Sequence, residues 1–253
     1  MRELALIGIG TGNPDHLTYQ GAAAINAADL ILIPRKGGDK ADLADLRKLI
    51  CARVLTNRAA RVFEFDLPRR DRDNPDYGAG VRDWHEAIAM AWTEAIAAQT
   101  AAPERVALLV WGDPALYDSS LRIARRFDPP PRLRVVPGIT AIQALTAAHA
   151  IPLNEIGAPV LVTTGRRLRD GGWPEGSDTL VVMLDGDCAF QTLPSDGATI
   201  WWGAYLGMAE ELLFSGSLAD AGPKIVAARA AARARHGWIM DIYLLRRRQA
   251  SAT

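Results

Sequence analysis

Three short segments hold the residues whose types and spacing suit chemistry on a small polar ligand. The first is Gly8-Ile9-Gly10-Thr11-Gly12-Asn13-Pro14-Asp15-His16-Leu17-Thr18. Its glycines let the backbone turn sharply and approach a ligand closely, because no Cβ stands in the way. The second is Trp111-Gly112-Asp113-Pro114-Ala115-Leu116-Tyr117-Asp118-Ser119-Ser120. Pro114 drives Asp113 out of the helical region and removes one backbone donor. That leaves either a plain Asp-Pro turn or an extended loop whose carbonyls and carboxylate can meet a ligand amine. The third is Val135-Val136-Pro137-Gly138-Ile139-Thr140-Ala141-Ile142-Gln143. Thr140 and Gln143 have the spacing of a capping box, and a capped helix start still leaves N–H donors that favour an anion.

Each segment follows an apolar, β-type run. Glu3 to Gly10 reads as a strand buried on both faces, Arg105 to Trp111 is similar, and Leu133 to Val136 precedes the third segment. Between them the pattern gives a helix over Ala22 to Ala28 and a strand from Asp29 to Ile33 stopped by Pro34. A helix through Leu43, Leu46, Leu49 and Ile50, a strand at Arg61 to Phe65, an exposed loop from Pro68 to Gly80 and a helix from Trp84 to Ala98 follow. This alternation predicts a mainly parallel sheet with flanking helices, and ligands of such sheets bind at the carboxyl ends of the strands. After Gly138 the texture changes to a helix over Thr140 to His149, β-type runs at 160–164, 179–184, 199–202, 212–214 and 238–245, and an alanine-rich helix from Ile225 to Ala234. The expected fold is α/β in two domains, residues 1–138 around a mainly parallel sheet and 139–253 around a mixed sheet. Arg246-Arg247-Arg248 reads as a solvated end.

The 253 residues include 29 basic and 29 acidic side chains, and this neutrality argues against nucleic acid or an anionic membrane as partner. A polyanion must therefore be met by a local cluster of cations. No apolar run approaches the roughly 20 residues of a membrane span, and a chain that opens directly into a strand shows no signal peptide. Cys51 and Cys188 supply neither a disulfide framework nor a four-ligand zinc site, so a reducing, cytoplasmic setting without bound metal is expected. The glycine-rich opening also invites a dinucleotide reading. Asn13 replaces its third glycine, however, and the next strand ends in Pro34-Arg35 instead of a ribose-binding acid, with Asp29 at its beginning.

Taken in order, the three segments resemble the tetrapyrrole methylase family, the S-adenosylmethionine-dependent enzymes of cobalamin and sirohaem synthesis. The first is similar to the family's G-x-G-P-G followed by L-T, with Thr11 at the proline; the second is similar to its G-D-P loop and the third to its P-G-I-T/S-A turn. Four stretches, the first of them inside the second segment, resemble one branch of the family: 111–119, Thr164-Gly165-Arg166-Arg167-Leu168, Trp202-Gly203-Ala204-Tyr205-Leu206-Gly207 and 237–246. The resemblance implies a kidney-shaped, two-domain homodimer with the cofactor between the domains and the tetrapyrrole in a trough. It also implies that Thr11, Gly112, Asp113, Thr140, Ala141, Leu184, Ala204 or Tyr205, and Ile239 or Met240 bind S-adenosylmethionine. Gly112 and Asp113 would meet its amino-acid end, Thr140 and Ala141 its middle, Leu184 would pack against it, and the last four would enclose the adenine. S-adenosylhomocysteine would be the product.

For that branch the resemblance implies methylation of precorrin-5 at C-1 with loss of the C-20 acetyl group as acetate. Methyl transfer needs an aligned nucleophile and exclusion of water. An electron-rich, enamine-like ring carbon supplies that nucleophile, so no strong base is required. Acetyl release needs water at a carbonyl, and hence a general base and an oxyanion partner. The candidates are Asp15, His16, Tyr117, Asp118, Asp185 and Asp241, with Tyr117 and Asp118 ranked first as catalytic residues. Each also reads as a turn, cap or packing residue, Tyr117 as packing beneath its loop. Arg35, Lys36, Arg166 and Arg167 follow strand ends, where guanidinium groups would grip substrate carboxylates, with Asp15 as a further substrate contact. Trp201 and Trp202 are adjacent on a strand and face opposite sides, so at most one reaches the trough. Two other functions stay open: methylation at a different corrin position, and tetrapyrrole or nucleotide binding without catalysis.

Overall fold

Successive side chains of a strand point to opposite faces, and in Leu4-Ala5-Leu6-Ile7 all four are buried, so both faces of the first sheet must be covered. The structure, a computed structural model, describes residues 1–35, 41–71 and 76–247. It divides into two compact units, Met1–Thr140 and Ala141–Thr253.

The first unit runs β1 (Glu3–Gly8), α1 (Tyr19–Ala27), β2 (Leu30–Arg35), α2 (Ala41–Val54), β3 (Arg61–Asp66), α3 (Tyr77–Ala97), β4 (Arg105–Val110), α4 (Ser120–Ala124) and β5 (Arg132–Val136). Its five strands are wholly parallel in the order β3-β2-β4-β1-β5. Ala5 and Ile7 pack with Ala24 and Ile25 of α1 and Ile50 of α2 on one face. Leu4 and Leu6 pack with Ile88 and Trp92 of α3 and Ile123 of α4 on the other. The chain therefore leaves β1 toward one face and the neighbouring β4 toward the opposite face. That reversal opens a crevice beyond the carboxyl ends of these two strands, the place where open α/β sheets bind ligands.

The second unit contains α5 (Ala141–Ala148), β6 (Val160–Thr164), α6 (Gly165–Gly171), β7 (Thr179–Met183), β8 (Ala198–Ala204), β9 (Leu212–Ser217), α7 (Leu218–His236) and β10 (Asp241–Arg247). Its sheet is mixed, ordered β6-β7-β10-β8-β9, with β6 and β7 parallel and the remaining pairs antiparallel. The α/β class and the parallel and mixed character of the two sheets match the sequence reading.

Several boundaries differ from that reading for identifiable reasons. Pro34 lies inside β2: Arg35 turns its carbonyl to β3, accepting from Leu67 N–H, so Pro34 faces the β4 side, where pairing stops at Leu32. Helix α1 starts at Tyr19 because Thr18 caps it through Gly21 N–H at 2.9 Å. Asp76 caps α3, so residues 77–80 are helical instead of looped. Helix α7 begins under Ser217 and ends at Gly237, with Pro223 inside it. Arg246 is no solvated end: it binds Glu155 Oε1 at 2.7 Å and the carbonyls of Pro152 and Leu153, and its guanidinium lies 5.4 Å over the Trp201 ring. Arg247 lies 4.2 Å over Trp173. Arg248 falls outside the described residues. Among the described residues no helix is long and apolar enough to cross a membrane.

Burial raises the thiols of both Cys51 and Cys188 to about 11. The native protein should therefore resist iodoacetamide at pH 8 and label at both cysteines once unfolded in urea, as mass spectrometry would show.

Candidate functional site

The three segments singled out in the sequence meet at the crevice of the first unit. A Cβ added to Gly8 would stand 2.6 Å from Gly138 N and 2.7 Å from Gly112 O, and one added to Gly138 would stand 2.1 Å from Gly112 O. Only glycine at positions 8 and 138 lets the three backbones come this close. Gly10 and Gly112 then pair directly, with Gly112 N–H donating to Gly10 O at 2.8 Å. Asp113 locks the arrangement: one carboxylate oxygen accepts from Ala115 N–H at 2.8 Å and the other from Gly138 N–H at 2.9 Å. The Asp-Pro segment is thus an ordered loop bonded to the Pro-Gly turn.

This crevice fits a polar ligand. The backbone around Gly112 (φ 64°) is open, with nothing within 4 Å of the position its Cβ would take. Thr11 is 3% exposed, and its hydroxyl has no hydrogen-bond partner in the protein. The buried Nδ1 of His16 is likewise unpartnered. An unsatisfied buried polar group costs roughly 1–3 kcal/mol, so two in one loop point to a ligand or water that completes them. Asn13, which breaks the dinucleotide pattern, accepts from Asp15 N–H and caps a short 3₁₀ turn instead.

Of the residues ranked first for catalysis, Tyr117 is exposed in the left-handed conformation (φ 49°) and does not pack beneath its loop. Asp118 accepts from Ser120 N–H at 2.6 Å through one oxygen. It also attracts Arg47, which the sequence reading passed over because α2 was traced by its apolar positions alone. Arg47 Nε donates to Leu109 O at 2.9 Å, just before the Gly-Asp-Pro loop, and burial pulls its guanidinium down to about 10 while Asp118 holds it up.

In the second unit, Leu184 follows β7 with φ 53° and is 66% exposed despite being apolar. Tyr205 follows β8 with φ 51°; its N–H donates to Met240 O at 3.0 Å and its hydroxyl to Trp238 O at 2.5 Å. Non-glycine residues in this region are uncommon, and they concentrate where side chains must be aimed for function. Ala204 pairs with Asp241, so Ala204, Tyr205 and Met240 form one local patch.

Two further candidates for a base have their carboxylates engaged by hydrogen bonds within the fold. Asp185 is buried and accepts from Asp187 N–H, Ala189 N–H and the Tyr243 hydroxyl. Asp241 accepts from Trp202 Nε1 at 3.0 Å and Arg229 Nε at 2.9 Å; burial pushes its carboxyl above the ordinary value, with Arg229 pulling against it. Trp202 is fully buried, while Trp201 lies under Arg246. Among the expected substrate contacts, Arg35 forms a two-bond pair with Asp66 and Asp15 pairs with Arg53 at 2.7 Å. These pairs are solvent-screened and weak enough to exchange for another carboxylate. Arg166 and Arg167 are exposed in the first turn of α6, and Lys36 falls outside the described residues.

Residues 3–222 match the family model of the tetrapyrrole (corrin/porphyrin) methylases, and the chain belongs to that family. Within it, the chain is 48% identical over 251 residues to precorrin-6A synthase (deacetylating) of a Sinorhizobium species, covering 98% of this chain and 96% of the relative. It is 30% identical over 187 residues to precorrin-2 C(20)-methyltransferase of Sinorhizobium, covering 65% of this chain and 69% of that enzyme. A solved structure of a cobalamin synthesis related protein from Corynebacterium diphtheriae superposes with a TM-score of 0.82 at 36% identity, covering 98% of this chain and 99% of that one. Uroporphyrin-III C-methyltransferase of Thermus thermophilus, complexed with S-adenosylhomocysteine, shares the fold at 16% identity and a TM-score of 0.57, covering 96% of each chain.

Replacing Asp113 by Asn turns one acceptor into a donor facing a backbone N–H. The variant should lose about 1–3 kcal/mol of stability, measured by urea unfolding.

Proposed function

We propose that this protein transfers a methyl group from S-adenosylmethionine to C-1 of precorrin-5 and releases the C-20 acetyl group as acetate. The observation that carries the reading is the 48% identity over 98% of the chain to a deacetylating precorrin-6A synthase. Its own residues support the same chemistry, because the open backbone at Gly112 and the unpartnered Thr11 hydroxyl sit in the family's first two loops.

When bound, S-adenosylmethionine supplies an electrophilic methyl group. In this reading the Gly112-Asp113 loop receives the amino-acid end, and Thr11 supplies a hydroxyl where the family resemblance has proline. Thr140 and Ala141 line the middle, and Leu184 presents an apolar side chain. Ala204, Tyr205, Ile239 and Met240 hold the adenine through backbone groups and packing. The rigid loops position reactants and exclude water, so methyl transfer to an enamine-like carbon needs no protein base.

Acetyl release consumes one water. Asp118, whose second oxygen has no bond to Ser120, takes the proton of that water as it attacks the acetyl carbonyl, and the Tyr117 hydroxyl stabilises the oxyanion. The bond between the ring and the acetyl carbon then breaks, acetate leaves, and the electron pair returns to the ring, neutralising the positive charge that methylation leaves there. Arg35, Arg166, Arg167 and Asp15 contact the substrate periphery. The same reading makes the protein a cytoplasmic homodimer, a setting that suits its two free thiols.

Incubation with precorrin-5 and methyl-labelled S-adenosylmethionine should yield labelled product and one acetate per turnover. Label without acetate would instead indicate a corrin methylase of different regiochemistry, and neither would indicate a binding protein. Asp118→Asn and Tyr117→Phe should lower acetate release more than tenfold while S-adenosylhomocysteine still binds. Gly112→Ala should cost only about 1–2 kcal/mol of stability, since its Cβ meets open space. In calorimetry the same variant should lose S-adenosylhomocysteine affinity.

A further inference from the structure

Besides Ala141, the candidate cofactor contacts of the second unit come from three places in the chain: the turn after β7, the end of β8 and the segment before β10. One side chain reaches the first and the last directly and the second through Asp241. Arg229, on α7 and 9% exposed, donates from Nη2 to the carbonyl of Asp185 at 2.8 Å and from Nη1 to that of Gly186 at 3.1 Å. These carbonyls belong to the two residues directly after Leu184. Its Nε donates to Asp241 Oδ2 at 2.9 Å, and Asp241 directly follows Met240. The same Asp241 oxygen accepts from Trp202 Nε1, two residues before Ala204 on β8.

We infer that Arg229 is a positioning residue that holds Leu184, Ala204-Tyr205 and Met240 in the arrangement that receives the cofactor. The inference rests on the proposed methyltransferase reading and names a residue that no sequence motif marks. Leu184 and Tyr205 both keep left-handed backbones, and such conformations persist only where their surroundings over-determine them. A planar guanidinium supplies several fixed donors at once, which a lysine ammonium on a flexible stem does not reproduce. The Asp185 side chain reinforces the same turn by accepting from Asp187 and Ala189 N–H groups. Gly165 leaves room for that carboxylate, since a Cβ there would stand 2.3 Å from its Cγ.

The test compares Arg229→Lys, Arg229→Met and Trp202→Phe with Leu245→Ala, a core truncation toward the far end of β10 that serves as the stability control. Full-length proteins are assayed by calorimetry with S-adenosylhomocysteine and by separate KM determinations for S-adenosylmethionine and precorrin-5. The expected result is an affinity loss of about tenfold to a hundredfold in Arg229→Met, the scale that small misplacement produces. A smaller loss is expected in Arg229→Lys and Trp202→Phe. KM for S-adenosylmethionine should rise while KM for precorrin-5 does not, and Leu245→Ala should lose stability without that split. If Arg229→Met does not fold, the lysine and phenylalanine variants carry the comparison. Unchanged S-adenosylhomocysteine affinity in the folded variants, beside a wild type that binds, overturns the positioning role alone. A wild-type protein that binds no S-adenosylhomocysteine overturns the methyltransferase reading, and this inference with it.

Discussion

The first unit depends on a steric constraint: the backbones at the ends of β1, β4 and β5 approach so closely that no Cβ fits between them. Gly8 and Gly138 satisfy it, and a methyl group on Gly138 would penetrate the carbonyl of Gly112. From this contact the direct Gly10–Gly112 pairing becomes possible, and Asp113 can span from its own loop to the Gly138 amide. The strand order places the contact where the chain leaves β1 and β4 toward opposite faces, so the loops border a crevice instead of covering it. The crowded backbone and the empty space beside Gly112 are therefore neighbours.

The second unit solves a similar problem with charge. Its sheet must place left-handed turns after β7 and β8 beside the start of β10, and a buried Arg229–Asp241 pair with Trp202 draws them together. A buried ion pair is a weak source of net stability, because desolvation offsets much of the attraction. Its value here is directional: five donors in a plane constrain carbonyls and a carboxylate that apolar packing would leave free to slide. The T-shaped contacts of Tyr205 with Trp238 and of Phe190 with Tyr243 pack the aromatic surface around it.

Much of this was legible in the residues themselves. Apolar runs such as 4–9 and 106–110 imply doubly covered strands, and the three loops carry enough specific spacing to resemble one family. Asp113 and Gly138 stood out by type, but their mutual hydrogen bond joins residues 25 positions apart and has no local signature. Arg47 and Arg229 were passed over for the same reason. Each lies on a helix whose reading rested on apolar and alanine positions, and a buried arginine looks like a surface one until its acceptors are known. Asp185 and Asp241 stayed open between two roles because a carboxylate after a strand suits catalysis as well as anchoring. Their partners, Tyr243 for one and Arg229 with Trp202 for the other, decide between the roles.

The sequence by itself determined the α/β class, the parallel and mixed sheets and the positions of the glycine-bearing loops at the strand ends. These follow from side-chain period and from glycine and proline geometry, which act over a few residues. Only the tertiary structure decided which polar groups are consumed by the fold and which remain for a ligand. Thr11 keeps a buried hydroxyl without a protein partner, whereas Asp241 gives its carboxylate to Arg229 and Trp202. That division arises because a hydrogen bond is satisfied by whatever donor the fold brings within about 3 Å, and proximity between distant segments is a property of the folded chain.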